Sequence, residues 1–292
     1  MPSVMKPGWL KIRPPDLKPF EETRSVISSL NLHTICVEGH CPNQSECWSN
    51  KTASFMVLGK TCTRGCKFCA VSTALKGDVL DSLEPARLGA AVKRLGLEYV
   101  VITSVDRDDL EDQGAGHIAQ CIREVRRQSS STVVEALIPD FRGSEECLQT
   151  VLQSNPHVLS HNLETVKRLQ SYARDRRASY EQSLGVLKNA KKQCPSMYTK
   201  SALMLGLGET QEEVIQSMKD LRVMNVDFLS LGQYLRPSEW HVPVHEYVSP
   251  DQFKWYEEKG FELGFKFVAA GPFVRSSYRA GEYFVGNMVS RV

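Results

Sequence analysis

The sequence predicts an α/β protein, and specifically a partial (β/α)6 TIM-like barrel with N- and C-terminal extensions. From about residue 50, short apolar segments rich in β-branched residues alternate with amphipathic helical segments. This alternation implies a mostly parallel sheet with right-handed crossovers. About six repeats can be recognised, fewer than the eight of a closed barrel, so we expect a barrel that is open on one side.

The individual elements follow from this alternation. The expected strands are 54–58, 99–103, 132–137, 157–160, 198–205, 226–231 and 265–269. The expected helices lie near 84–95, 115–128, 143–153, 164–170, 179–193, 211–224 and 251–263. The helix near 211 begins at Thr210 and has Glu213 three residues later, which is a capping-box pattern. We expect three regions: an N-terminal extension (1–50), the barrel (51–270) and a C-terminal extension (271–292).

Composition excludes several classes of protein. The 292 residues suffice for one large domain, and 41% apolar with 24% charged residues is ordinary for a globular chain. A net charge of +2 gives no electrostatic support for a nucleic-acid partner. We find no apolar segment long enough to cross a membrane and no apolar core of a secretory signal. The expected compartment is the cytoplasm.

Six of the nine cysteines fall between Cys36 and Cys69. Cys62, Cys66 and Cys69 form a C-x3-C-x2-C triplet directly after the first predicted strand. Three thiolates can bind three irons of a [4Fe–4S] cluster and leave the fourth iron open to a small molecule. A zinc site would need a fourth ligand, and the chain has no second C-x2-C pair to supply one.

A second triplet, C-x4-C-x5-C, consists of Cys36, Cys41 and Cys47. It also supplies only three thiolates, so a second cluster here would need a ligand from a distant part of the sequence. His40 lies inside this triplet and could instead complete a zinc site. The spacing alone leaves both alternatives open.

The 62–69 triplet resembles the signature of radical S-adenosylmethionine (SAM) enzymes. Together with the second triplet and the sequence Arg275-Ser-Ser-Tyr278, it resembles lipoyl synthases. The resemblance covers nearly the whole chain from about residue 33. It includes the segments 41–47, 52–56, 103–110, 206–210, 231–235 and 247–250.

The resemblance implies a cofactor set and a reaction. Cys62, Cys66 and Cys69 would hold the cluster that binds SAM, and a deoxyadenosyl radical would remove hydrogen from an octanoyl chain on a lysine of a carrier protein. Two sulfur atoms would enter at C6 and C8. Cys36, Cys41 and Cys47 would hold a second [4Fe–4S] cluster that is consumed as the sulfur donor. Its fourth ligand would be Ser277, with Ser276 as the alternative, and the hard serine oxygen would hold iron weakly.

Several residues match the positions that contact SAM in this family. Phe68 corresponds to an aromatic residue beside the adenine, and Thr103, Ser104 and Asp106 follow the second strand near the SAM amino group. Glu135 and Asn162 are candidates for the ribose hydroxyls. Gly206 belongs to a short glycine-rich turn after a strand.

Other polar groups carry more ordinary expectations. Asp108 and Asp109 are expected to form a solvated acidic loop. The basic run at 174–177 is expected to form a solvated face. The sharper alternative for the basic run is contact with the SAM carboxylate or with an acidic carrier domain. The histidines lack ligand spacing and are expected to be structural or exposed; among them are His117 and His241.

The resemblance also implies partners: an octanoylated lipoyl-carrier protein, a ferredoxin or flavodoxin as reductant, and iron–sulfur assembly proteins. Two other functions compete. One is a different two-cluster radical SAM enzyme, such as a methylthiotransferase or a peptide-modifying maturase. The other is a non-catalytic zinc-binding or iron-sensing module, which would not cleave SAM.

Overall fold

The computed structural model of the protein describes residues 5–11, 14–49 and 53–277. The strands β1–β10 are, in chain order, His33–Thr34, Ser54–Val57, Thr61–Cys62, Ser72–Thr73, Tyr99–Ser104, Val133–Leu137, Val158–Ser160, Tyr198–Leu205, Phe228–Gln233 and Phe267–Gly271. The helices α1–α10 are Leu17–Ser29, Ile35–Glu38, Gln44–Ser49, Glu84–Leu95, Ala115–Gln128, Glu145–Leu152, Gln170–Ala173, Tyr180–Gln193, Gln211–Val223 and Pro250–Glu262. Two 3-10 helices span Phe141–Gly143 and Lys167–Leu169.

The chain divides into two compact units. Of the described residues, unit 1 contains 5–11, 65–70 and 160–276. Unit 2 contains 14–49, 53–64, 71–159 and residue 277. The division between the units falls within the C-x3-C-x2-C triplet, because Cys62 belongs to unit 2 whereas Cys66 and Cys69 belong to unit 1.

Unit 2 is built on strands in the order β1-β2-β5-β6-β7. The short β1 is antiparallel to β2, whereas β2, β5 and β6 are parallel to one another. All four residues of β2 are buried, which is typical of a parallel strand covered on both faces. The helices α4 and α5 each bury apolar residues on one face, and α4 buries Leu88, Val92 and Leu95 at helical spacing.

Unit 1 contains the parallel strands β8-β9-β10. Their apolar residues pack with those of α8, α9 and α10 into one core, in which Leu203, Leu229 and Val268 are fully buried. The capping box predicted at the start of α9 is confirmed: the Thr210 side chain accepts from the N–H of Glu213, and the Glu213 carboxylate accepts from the N–H of Thr210.

The predicted α/β class, with its mostly parallel strands, is confirmed. The helix expected over 164–170 is wrong, because this region holds a 3-10 turn and the four-residue α7. The buried Gln170 amide donates to the carbonyls of Leu163 and Thr165, and so occupies acceptors that a continuous helix would use. Thr52 and Tyr278, which contribute to the resemblance, lie outside the described residues.

The N-terminal region contains regular structure that the prolines did not suggest. Helix α1 begins two residues after Pro15 and tolerates Pro19 in its first turn, where the missing N–H has no helical partner. The three-region division at residues 50 and 270 stays a prediction. Over the ranges that the structure describes, we find no helix with the length and apolarity to cross a bilayer.

Candidate functional site

Cys62 ends strand β3 in unit 2, and its sulfur accepts two main-chain hydrogen bonds. The N–H of Arg64 lies 3.4 Å from Sγ, and the N–H of Asp106 also lies 3.4 Å from it. Asp106 follows the carboxyl end of β5, the edge at which α/β proteins place their ligands. Main-chain N–H groups directed at sulfur favour the thiolate form that binds metal.

Cys66 lies in the short segment 65–70, which belongs to unit 1. The N–H of Asp175 donates to Cys66 Sγ over 3.3 Å, and the Asp175 carboxylate accepts from the N–H of Gly65 over 2.9 Å. Hydrogen bonds from the Arg177 side chain, supported by the Gly65 N–H, hold the pKa of Asp175 well below its usual range. Asp175 therefore contacts this segment through its backbone and its side chain at once.

Three further hydrogen bonds fix the same segment to unit 1. The N–H of Lys67 donates to the carbonyl of Ala173 over 2.8 Å, and the N–H of Val242 donates to the carbonyl of Lys67 over 3.0 Å. The ring of His241 lies 3.0 Å from the carbonyl of Cys69 through Nε2. His241, which carried no functional prediction, is thus a structural contact of a cysteine in the triplet.

The expectation of a solvated acidic loop is wrong for Asp108, whereas Asp109 is exposed as expected. The Asp108 side chain is only 4% exposed and forms ion pairs with Arg64 and Arg142. Burial alone would raise the pKa of Asp108, but hydrogen bonds from these two arginines outweigh it and lower the pKa to about 2. Asp109 is paired in the same way with the buried Arg107. Arg64 and Arg142, which pair with Asp108, lie far from the loop in sequence, whereas Arg107 lies within it.

The expectation of a solvated basic run at 174–177 is wrong for its first two residues. Arg174 is buried and donates to Gln170 Oε1 over 3.1 Å and to Ser183 Oγ over 2.8 Å. Asp175 holds the cysteine segment as described above. Only Arg176 and Arg177 are exposed, and Arg177 pairs with Asp175.

The second triplet lies entirely in unit 2. Cys36 is buried in α2, Cys41 follows a turn in which His40 adopts a left-handed backbone (φ 49°), and Cys47 lies in α3. Burial, followed by the proximity of Cys41, raises the pKa of Cys36 to about 11. The buried indole N–H of Trp48 has no partner within hydrogen-bonding distance among the described residues, yet it lies near enough to Cys36 to favour the thiolate.

The candidates for SAM contacts in unit 2 lie on or after two adjacent parallel strands, β5 and β6. Thr103 and Ser104 end β5, and Ser104 Oγ is buried without a hydrogen-bond partner in the described chain. Glu135 lies on β6, fully buried, and accepts a hydrogen bond from the Tyr99 hydroxyl. Burial and the neighbouring Glu135 raise the pKa of Tyr99.

The remaining candidates for SAM contacts belong to unit 1. Asn162 follows β7 and donates to Glu164 over 3.2 Å, whereas its Oδ1 is buried and has no partner among the residues described. Phe68 packs against the core of this unit. Gly206 has φ 97°, and a Cβ there would lie 2.4 Å from the carbonyl of Glu246, so this turn requires glycine.

The C-terminal segment is described as far as Ser277, which is half-buried. The carbonyl of the preceding Ser276 accepts a hydrogen bond from the ammonium of Lys200, a buried lysine on β8. A Cβ on Gly232 of β9 would lie 1.9 Å from the carbonyl of Val274, so only glycine permits this close approach.

These observations match the donor set that iron–sulfur clusters require. Cys62 and Cys66 each accept N–H donors at sulfur, in the way that cluster-ligating thiolates are stabilised. The unpartnered Trp48 N–H beside Cys36 is a further donor near sulfur. Ser104 Oγ and Asn162 Oδ1 are buried polar atoms without a hydrogen-bond partner among the described residues.

Comparison with known proteins identifies the relatives of this chain. The Radical SAM superfamily profile matches residues 56–221. A lipoyl synthase of Methanocella arvoryzae is 53% identical over 284 residues, which are 97% of this chain and 96% of the relative. The chloroplastic lipoyl synthase of Arabidopsis thaliana is 50% identical over 99% of this chain and 74% of its own.

The solved structures support the fold. The FeFe-hydrogenase maturase HydG from Carboxydothermus hydrogenoformans matches with a TM-score of 0.58 and 14% identity, over 91% of this chain and 78% of HydG. At this identity the similarity shows the radical SAM fold alone.

Proposed function

Because the chain belongs to the lipoyl synthase family of radical SAM enzymes, we propose that its two cysteine triplets hold two different [4Fe–4S] clusters. Cys62, Cys66 and Cys69 hold the cluster that binds SAM. Cys36, Cys41 and Cys47, with Ser277 as fourth ligand, hold the cluster that supplies sulfur. When bound, the clusters and SAM supply the one-electron chemistry and the sulfur for insertion at C6 and C8 of an octanoyl chain.

The observation that carries the proposal is the set of N–H groups directed at cysteine sulfur. The N–H groups of Arg64 and Asp106 stabilise negative charge on Cys62, and the N–H of Asp175 does the same for Cys66. A structural cysteine in an apolar core would have no need of such donors. These donors support thiolate ligation at Cys62 and Cys66.

The second triplet suits a cluster that is taken apart. Without metal, the Cys36 thiol stays protonated at neutral pH because its pKa is about 11, so cluster binding must drive its deprotonation. Ser277 would contribute a hard oxygen ligand, which holds iron less strongly than thiolate does. Lys200 fixes the carbonyl next to this serine and so limits where Ser277 can lie.

For SAM, we propose seven contact residues. In unit 2, Ser104 supplies a buried oxygen without a partner among the described residues, and Thr103, Asp106 and Glu135 lie on or follow β5 and β6. In unit 1, Asn162 follows β7 and supplies a second such oxygen. Phe68 and Gly206 complete the set. Hydroxyl, amide and carboxylate oxygens suit the amino and ribose groups of SAM, because those groups donate hydrogen bonds.

The family implies a lipoyl-carrier substrate and a reductant. We propose an octanoylated lipoyl-carrier protein, a ferredoxin or flavodoxin, and iron–sulfur assembly proteins that restore the consumed cluster. The cytoplasm remains the proposed compartment, and the Arabidopsis relative is named as chloroplastic.

Iron and sulfide analysis tests the two-cluster assignment. After anaerobic reconstitution, we expect about eight irons per wild-type chain and about four in either triple variant. One variant replaces Cys62, Cys66 and Cys69 by Ala and loses SAM cleavage. The other replaces Cys36, Cys41 and Cys47 and keeps it. Zinc in either triplet, or SAM cleavage by the first variant, would overturn the assignment.

A further inference from the structure

Arg64 lies between two cysteines of the first triplet, yet its side chain turns away from solvent. Its guanidinium makes two bidentate ion pairs within unit 2. Nε and Nη2 donate to Asp108 over 2.8 and 2.9 Å, and Nη1 and Nη2 donate to Asp140 over 2.7 and 2.8 Å. The Arg64 side chain is 3% exposed. Such fork-like geometry is specific to arginine, because the lysine ammonium is a single point charge.

The two carboxylates come from adjacent strand ends. Asp108 follows β5 and Asp140 follows β6, and these strands are parallel neighbours. Asp140 is fully buried. Burial opposes the charge on Arg64, but the hydrogen bonds that it donates to both carboxylates hold the pKa of Arg64 above its usual range. The buried guanidinium of Arg64 thus attaches the cysteine loop to the end of the sheet, because separating it from its carboxylates would leave buried charges unpaired.

Thr63 strengthens the same attachment. Its N–H and its hydroxyl both donate to the carbonyl of Asp106 over 2.9 Å, and its hydroxyl oxygen accepts from the N–H of Asp108 over 3.0 Å. Thr63 and Arg64 therefore fix the backbone on the C-terminal side of Cys62. The Arg64 N–H that points at Cys62 Sγ belongs to this backbone, so its position relative to the sulfur is fixed as well.

We propose that Arg64 is a positioning residue that sets the reduction potential of the SAM-binding cluster. Its side chain, anchored on Asp108 and Asp140, holds its own main-chain N–H against Cys62 Sγ. N–H donors at sulfur stabilise the reduced, more negative cluster and so raise its potential. This inference rests on the proposed function, since it requires Cys62 to be a cluster ligand.

The test compares two conservative substitutions. Arg64→Lys keeps the charge and removes the fork. Arg142→Lys is the matched control, because Arg142 also pairs with Asp108 (2.9 Å) but lies outside the cysteine loop and is half-exposed. The measurement is a redox titration of the reconstituted enzyme by electron paramagnetic resonance. The signal that changes on SAM addition identifies the cluster.

We expect a lower midpoint potential for Arg64→Lys and for Asp140→Asn, and an unchanged potential for Arg142→Lys. A purely structural role would lower the melting temperature and leave the potential of the loaded cluster unchanged. Arg64→Lys with full iron load, the wild-type potential and the wild-type spectrum would therefore overturn the inference.

Where Arg64→Lys fails to load, hydrogen exchange of the unloaded proteins replaces the titration. We expect faster exchange at residues 62–66 in Arg64→Lys than in Arg142→Lys, and equal exchange would overturn the inference. Failure of the proposed function appears differently: the SAM-responsive signal would survive replacement of Cys62, Cys66 and Cys69 by Ala.

Discussion

His241 donates a hydrogen bond from Nε2 to the main-chain carbonyl of Cys69 over 3.0 Å, although the two residues are 172 positions apart. A carbonyl oxygen can only accept, so Nε2 carries the proton. Nδ1 lies 2.8 Å from Ser238 Oγ, which fixes the ring from its other side. This pairing holds the end of the cysteine segment to the 234–248 loop of unit 1.

His241→Ala is expected to loosen the ligand segment. A lost hydrogen bond of this kind is worth about 1 kcal/mol, so the bound cluster should be lost to an iron chelator about fivefold faster. The decay of cluster absorbance after chelator addition measures this rate. Trp240→Ala is the control, because the neighbouring Trp240 is almost fully exposed. Equal rates for the two variants would contradict a role of His241 in holding Cys69.

Ser277→Cys is expected to separate the two halves of the reaction. A thiolate would hold the sacrificial iron more strongly than the serine oxygen does, so sulfur insertion should fall while SAM cleavage continues. Chromatography of 5′-deoxyadenosine and mass spectrometry of the acylated peptide measure the two yields. Ser276→Ala, at the adjacent serine, should retain both activities. Wild-type sulfur insertion in Ser277→Cys would remove Ser277 from the ligand set.

Glu84→Ala is expected to destabilise unit 2. One oxygen of the buried Glu84 lies 2.6 Å from His117 Nε2 and 3.0 Å from the N–H of Leu58, which precedes the cysteine loop with a left-handed backbone (φ 71°). Removing the carboxylate leaves the Leu58 N–H and the His117 ring without this partner, at a cost of about 1–3 kcal/mol for each buried group left unsatisfied. Urea unfolding of the unloaded protein measures the loss, with the exposed Glu111→Ala as control. A loss below 1 kcal/mol would show that the pair contributes little.

The ion pairs of Asp108 with Arg64 and Arg142 make the free energy of unfolding depend on pH in the acid range. The pKa of Asp108 is about 2 in the folded protein and 3.8 when unperturbed. Near pH 3, the folded protein therefore binds fewer protons at this residue than the unfolded chain does. The stability it contributes is complete above pH 3.8 and is lost as the pH falls toward 2. In unloaded protein, the difference in unfolding free energy between wild type and Asp108→Asn should therefore shrink from pH 5 to pH 3. A constant difference would contradict the pairing.

Local periodicity predicted helices and strands well where the buried residues of an element recur at its own spacing along the sequence. Helix α4 begins and ends as predicted, at Glu84 and Leu95, because its apolar residues recur at helical spacing. The 164–170 region failed because Gln170 donates its amide to nearby carbonyls. No periodic pattern reports such a side-chain contact.

The candidate ligand cysteines could be proposed from the sequence because thiolate chemistry depends on residue type and close spacing. Their supports were not, because Asp140 lies 76 residues from Arg64 and Asp175 lies 109 residues from Cys66. Asp108 looked like a solvated acidic residue for the same reason: its partner Arg64 belongs to a different loop. The pairing of strands that are distant in sequence determines the contacts of Arg64, and the turn after α7 brings Asp175 to Cys66.

The most direct test of the account is the reaction itself. The reconstituted protein is incubated anaerobically with SAM, a strong reductant and an octanoyl-lysine peptide, and the peptide is analysed by mass spectrometry. We expect that two hydrogens of the octanoyl chain are replaced by two sulfur atoms, and that the sulfur comes from the protein. Formation of 5′-deoxyadenosine by fully loaded protein with an unchanged peptide would contradict it.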